Sequence, residues 1–120
     1  MFKQPLKSII DATNTHNFDE VKKYVHKDAF YIFSGQMLTG LETIRAYFEK
    51  TWDTIKNEEY WATDVTWLHD GNTSKTCVYQ YNYRGYVDGK IIEGHGQATN
   101  VFVKCEQTKD WLLIHEHLSK

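Results

Sequence analysis

Several things are scarce in this sequence, and each absence narrows what it can be. Pro5 is the only proline, and no glycine- or serine-rich run occurs, so nothing reads as a linker between domains. Cys77 and Cys105 are the only cysteines, too few for a disulfide scaffold. No bridge between them is indicated, and reduced thiols are expected. Long apolar runs are missing. The opening "MFKQPLKSII" lacks the core of a signal peptide, and no stretch reaches the roughly 20 residues of a membrane span. The formal net charge is −2 with no basic cluster, which argues against nucleic acid as a partner. A length of 120 residues suits one domain over 1–120, large enough to bury roughly two-thirds of its unfolded surface without staples. The expectation is a cytoplasmic protein with neither membrane nor nucleic-acid contacts.

What the sequence has is aromatic rings. Four Trp, eight Tyr and six Phe make 15% of the chain, enough to line a core or a pocket. The first third has helical period. Phe2, Leu6, Ile9, Ile10 and Thr13 fall on one face. Asn17 with Glu20 reads as a capping box for a short helix bearing Phe18, Val21 and Val25. "AFYIFSG" is β-prone. Thr39 with Glu42 reads as a second capping box, ahead of a helix with a stripe of Leu41, Ile44, Phe48, Trp52 and Ile55. From "EEYWATDVTWLHD" onward the period is two. Strands follow in "KTCVYQYNYRGYV", "KIIEGHGQATNVFVKC" and "WLLIHEHLS", with a hairpin turn at Asp88 and Gly89. Helices first and an antiparallel meander after predict an α+β fold, with helices covering one face of a curved sheet.

A two-residue turn at Asp88 and Gly89 sets Arg84 opposite Glu93, Asn82 opposite His95 and Asn100 opposite Cys77. Asn82 and Asn100 then lie on opposite faces. Gly94 and Gly96 read as a bulge that would bring both asparagines to one face and bend the sheet around a cavity.

These segments resemble a known family. "NFDEVKKYV", "TGLETIRAYFEKTW", "YVDGK", "TNVFVK" and "WLLIHEHLS" are similar to the nuclear transport factor 2-like superfamily, in particular SnoaL-like domains and the association (hub) domain of calcium/calmodulin-dependent protein kinase II. The closing W-x-x-x-H-x-H-x-S pattern is the most specific part. The resemblance implies a cone of helices on a curved sheet. It also implies a free-standing domain, since no kinase domain accompanies it. The superfamily holds isomerases, dehydratases, cyclases, binding proteins and oligomerisation modules, so the fold leaves the reaction open. The hub domain places arginines in its cavity. The matching positions here are Asn82, Asn100 and Leu118, so a neutral or cationic ligand is expected rather than a carboxylate.

The resemblance further implies that Gln80, Asn82 and Arg84 face the cavity while Tyr79, Tyr81 and Tyr83 face a partner subunit. The residues alone also allow the reverse, with the polar stripe in solvent and the tyrosines in a core. Tyr31, Tyr47, Trp52 and Phe102 are aromatic candidates for the cavity walls. Glu116 shares its strand face with Leu112, Ile114 and Leu118. If inward, it is a desolvated carboxylate able to carry a proton. An odd-length loop around Lys109 would turn it to the face of Asn100. Asp64, alternating with Tyr60 and Ala62, is a second acid–base candidate. His115 and His117 share a face, with His95 as a third imidazole, but ligand count and geometry do not make a metal site, and packing against strands or a partner is expected. No phosphate loop, nucleophile elbow or Cys-x-x-Cys motif occurs, and no cofactor is expected. Two functions stand: a self-associating module, at least a homodimer, whose cavity binds a small organic ligand, and a cofactor-free isomerase, dehydratase or cyclase using Glu116 or Asp64.

Overall fold

The structure, a computed structural model, describes residues 4–120. Phe2 lies outside the described residues. Helix α1 (Pro5–Thr13) starts with Pro5 in its first turn, where a missing N–H costs nothing, and buries Leu6, Ile9 and Ala12. Helix α2 (Phe18–Val21) is capped by Asn17, whose side chain accepts from the Asp19 N–H. The Glu20 carboxylate pairs with Lys23, so the expected capping box is not formed. A 3₁₀ turn (Lys22–Tyr24) leads into strand β1 (Val25–Phe33), which turns back into β2 (Gln36–Thr39). Thr39 ends β2 and caps nothing. Helix α3 (Leu41–Thr54) starts after Gly40, whose φ of 84° suits glycine, and no side chain caps it. Four strands follow: β3 (Lys56–Asp70), β4 (Ser74–Val87), β5 (Lys90–Lys104) and β6 (Trp111–Ser119).

The strands form a six-stranded sheet in the order β2-β1-β6-β5-β4-β3. The long meander is antiparallel, and β1 closes against β6 as a parallel pair. The fold is α+β, with helices packed on one face of the sheet. Ile44 of α3, Phe18 of α2 and Leu6 of α1 bury against Tyr31, Phe33 and Leu113. No helix among the described residues is long and apolar enough to cross a membrane. Cys77 and Cys105 are free thiols, and burial pushes Cys77 up to about 12.

The expected bulge at Gly94 and Gly96 is absent. The β4–β5 ladder is regular from Val87↔Lys90 to Ser74↔Val103. The two glycines serve another purpose. Gly96 stands opposite Tyr81 and Gly94 opposite Tyr83, and a Cβ at either would fall 2.6 Å from the facing tyrosine hydroxyl oxygen. They make room for tyrosine side chains lying across β5. The irregularities sit elsewhere. β3 shifts register between Lys56 and Glu59, between Thr63 and Thr66, and between Trp67 and His69, with Asn57 and Asp64 at positive φ. β6 shifts once: Phe102 pairs with Leu113 and Val101 with His115, leaving Ile114 as the extra residue.

Candidate functional site

The β6 bulge decides which face of the closing strand looks inward. The β5–β6 connection, Cys105–Asp110, has an even residue count, not the expected odd one. A regular continuation would have set His115 on the face of Trp111 and Leu113. The extra residue at Ile114 instead places Leu113, Glu116 and Leu118 opposite Phe102, Asn100 and Ala98. His115 and His117 therefore lie on the outer face, where His115 Nδ1 is 2.7 Å from the Phe30 carbonyl oxygen.

Between this inner face and helices α1 and α3 lies a cavity of about 320 Å³, a size that suits a small organic molecule. Its walls are mostly rings: Tyr31, Tyr47, Phe48, Trp52, Tyr60, Tyr79, Tyr81 and Tyr83, with Leu118 beside them. Two carboxyls line it, Glu58 from β3 and Glu116 from β6.

Glu116 is buried, at 7% exposure. The Asn100 amide, turned so that its nitrogen faces Glu116, donates to Oε1 at 3.1 Å and to the Thr99 carbonyl at 3.0 Å. The Tyr79 hydroxyl reaches the same oxygen at 3.5 Å, and the Tyr60 hydroxyl lies 3.3 Å from that of Tyr79. Among the described residues, Oε2 has no hydrogen-bond partner in the protein, and no buried side-chain polar atom is left unsatisfied. Oε2 therefore opens onto the cavity. Desolvation raises the Glu116 carboxyl to about 7, against the smaller opposing effect of Asn100 and Tyr79.

The sequence reading passed over Glu58. It shares the two-residue period of Tyr60 and Ala62, the same pattern that pointed to Asp64. A bulge at Asn57, with φ of 53°, aims Glu58 inward, while β4 crosses close by at Gly85, where a Cβ would fall 3.2 Å from the Glu58 Cα. His16 Nε2 lies 2.7 Å from the Glu58 main-chain oxygen. Burial raises the Glu58 carboxyl to about 7 as well. Asp64 departs in the opposite direction. The Thr63–Thr66 register shift breaks the alternation there, Asp64 adopts φ of 56°, and its side chain is exposed, away from the cavity.

The polar stripe is corrected too. With the β4–β5 ladder regular, Gln80, Asn82 and Arg84 lie on the outer face and Tyr79, Tyr81 and Tyr83 on the inner one. Asn82 is nonetheless buried. Its amide donates to Thr63 Oγ1 at 3.2 Å and accepts from Gln80 at 2.9 Å, joining β4 to β3. Asn100 is wholly buried and acts on the cavity through Glu116 rather than as wall. Phe102 belongs to the core, packed on Trp67, and does not line the cavity. Tyr31, Tyr47, Trp52 and Leu118 do. Among the described residues no group of three or more His, Cys, Asp or Glu is placed to hold a metal.

A family model described as a SnoaL-like domain matches residues 3–120. No curated protein matches the sequence. Three solved structures are similar. A nuclear transport factor 2 (NTF2-like) superfamily protein from Salmonella enterica serovar Typhimurium superposes with a TM-score of 0.85 at 12% identity, over 96% of this chain and 84% of that one. The association domain of C. elegans CaMKII gives 0.77 at 16% identity, over 96% and 89%. A candidate ketosteroid isomerase from Shewanella frigidimarina gives 0.79 at 17% identity, over 96% and 91%. At these identities the likeness shows the fold alone.

Proposed function

We propose, from the premise that the chain belongs to the SnoaL-like domain family, that the protein binds a small, largely apolar organic molecule in its aromatic cavity, with Glu116 as the polar anchor. One observation carries this reading: a buried carboxyl, held from behind by Asn100, turns its remaining oxygen onto a cavity walled mostly by rings. Mostly apolar walls with a few convergent polar groups are the usual make-up of small-molecule sites. A screen of small aromatic and alicyclic fragments by ligand-observed NMR tests it. Binders are expected, and Thr51→Trp should abolish their binding without unfolding the protein. Thr51 lines the cavity, and its hydroxyl bonds only its own helix, at Tyr47 O. Fragments bound equally by Thr51→Trp would show that they sit elsewhere.

A second reading, cofactor-free proton transfer, has its own support. A carboxyl near 7 can take and return a proton at neutral pH, and the Tyr79 hydroxyl beside it can donate to a developing enolate oxygen. The candidate ketosteroid isomerase among the similar structures is in keeping with such chemistry on this fold. Glu116, not the exposed Asp64, would move the proton.

Self-association is the other half of the proposal. The outer face carries Val101 and Val103, half-buried, beside Phe30, His115 and His117. A standard interface of about 1,600 Å² fits such a face, and one similar structure is named as an association domain. The expected result is at least a dimer in sedimentation at micromolar concentration. Val101→Asp should convert it to a monomer. Tyr81 is unsuited to that test because its ring lies inside. A wild-type monomer would remove this half and leave the cavity untouched.

A further inference from the structure

We propose that the cavity selects organic cations, seating an ammonium or similar group against the faces of its rings with Glu58 and Glu116 as counter-charges. This rests on the ligand-binding reading and narrows it to one charge class. Of the charged side chains lining the cavity, Glu58 and Glu116 are acidic, and the single basic one, Lys120, is exposed. Tyr47, Tyr60, Tyr81 and Tyr83 are among the rings that wall the cavity, Tyr60 stacked on Tyr81, while Trp52 is stacked with His16 and with Phe48. A cation within about 6 Å of an aromatic face is attracted to it, most strongly where water is excluded. The carboxyls make the preference sharper. Glu116 is more than nine-tenths buried, no cationic group contributes to its environment, and Oε2 lacks a protein partner among the described residues. A bound cation supplies the missing counter-charge. Above about pH 7 an anion would meet two like charges, and a neutral molecule would leave both carboxylates without a counter-charge.

Proton linkage gives the inference its signature. The titratable groups facing Glu116 are the Tyr31 hydroxyl from β1, Tyr60 from β3, Tyr79 and Cys77 from β4, and Tyr47 from α3, and all five are held above their ordinary values. Tyr47 also feels Glu58, which His16 flanks through its main-chain oxygen. The carboxyls, raised to about 7, are therefore largely protonated in the empty cavity below that pH. A cation favours the ionised form, so its binding expels protons. Affinity should rise with pH up to about 7, by as much as about tenfold per pH unit for each carboxyl involved, and level off above about 8.

Calorimetry of the whole chain with a shape-matched series tests this: choline, its neutral isostere 3,3-dimethylbutan-1-ol, and the anion 3,3-dimethylbutanoate. At pH 8 choline should bind at least tenfold tighter than the alcohol, and the anion most weakly. At pH 6 the advantage should shrink about tenfold or more. The heat should depend on the buffer's ionisation enthalpy as protons leave. Glu116→Gln and Glu58→Gln should each cut the preference for choline while the alcohol still binds. If the alcohol or the anion binds as tightly as choline at pH 8, the cation inference fails and ligand binding stands. If none of the three binds although the fragment screen finds cavity binders, the inference again fails alone. An empty fragment screen as well would overturn both.

Discussion

The protein should lose stability as the pH rises from about 5 to about 8, and Glu116→Gln should remove most of that loss. Burial raises the Glu116 carboxyl from 4.5 to about 7. Below about 4.5 the acid is protonated both folded and unfolded, and its contribution is neutral. As the pH rises beyond that, the unfolded chain releases the proton first, so the folded state is progressively disfavoured. The loss is complete once the folded carboxyl ionises, above about 7. A gap of this size corresponds to about 3 kcal/mol, or a fall in Tm of roughly 10 °C for a domain of this length. Glu58 acts in the same direction but is only partly buried, so its share is smaller. Glutamine keeps the shape and an oxygen for the Asn100 amide, and it has nothing to ionise. Thermal unfolding of both proteins across this range checks the expectation. A wild-type Tm that is flat or rises between pH 5 and 8 would mean that the carboxyl is solvated.

The second large effect concerns the core beyond the cavity. Phe102→Ala should cost about 3–5 kcal/mol, much of the stability of an ordinary domain. Phe102 is 1% exposed, packs on Trp67 and stands opposite the fully buried Leu113. Truncation leaves a void that neighbouring strands are too constrained to fill. Urea unfolding should show the midpoint falling. Phe102→Leu, which keeps most of the volume, should fold and bind cavity ligands like the wild type. A Phe102→Leu variant that folds normally but loses binding would put the ring back in the cavity wall.

The main outlines of the fold were legible in local pattern. Apolar spacing marked α1 and α3, the change to period two marked the meander, and Asp88–Gly89 marked the hairpin with its register. The parallel pairing of β1 with β6 was not legible, because it joins segments far apart in the chain and no short-range pattern encodes it. The site was legible only in part, and the reason is parity. Each bulge in a strand reverses the faces beyond it. Gly94 and Gly96 looked like a bulge and instead accommodate tyrosine side chains. Ile114 is the bulged residue in β6, yet an isoleucine between Leu113 and His115 in an alternating strand carries no bulge signal. Asp64 and Glu58 share one alternation in the sequence, though only Asp64 was singled out, and the break between Thr63 and Thr66 separates them. The resemblance to the hub domain turned Gln80, Asn82 and Arg84 inward and the tyrosines outward, and the misplaced bulge made that arrangement compatible with Asn100 on the same face; the regular ladder rules it out.

The most direct test of Glu116 as the buried acid of a ligand cavity is an NMR titration of its carboxyl carbon, assigned by comparison with Glu116→Gln. The midpoint should lie near 7 in the empty protein and shift when a cavity-binding fragment is added. A midpoint between 4 and 5, unmoved by the fragment, would contradict it.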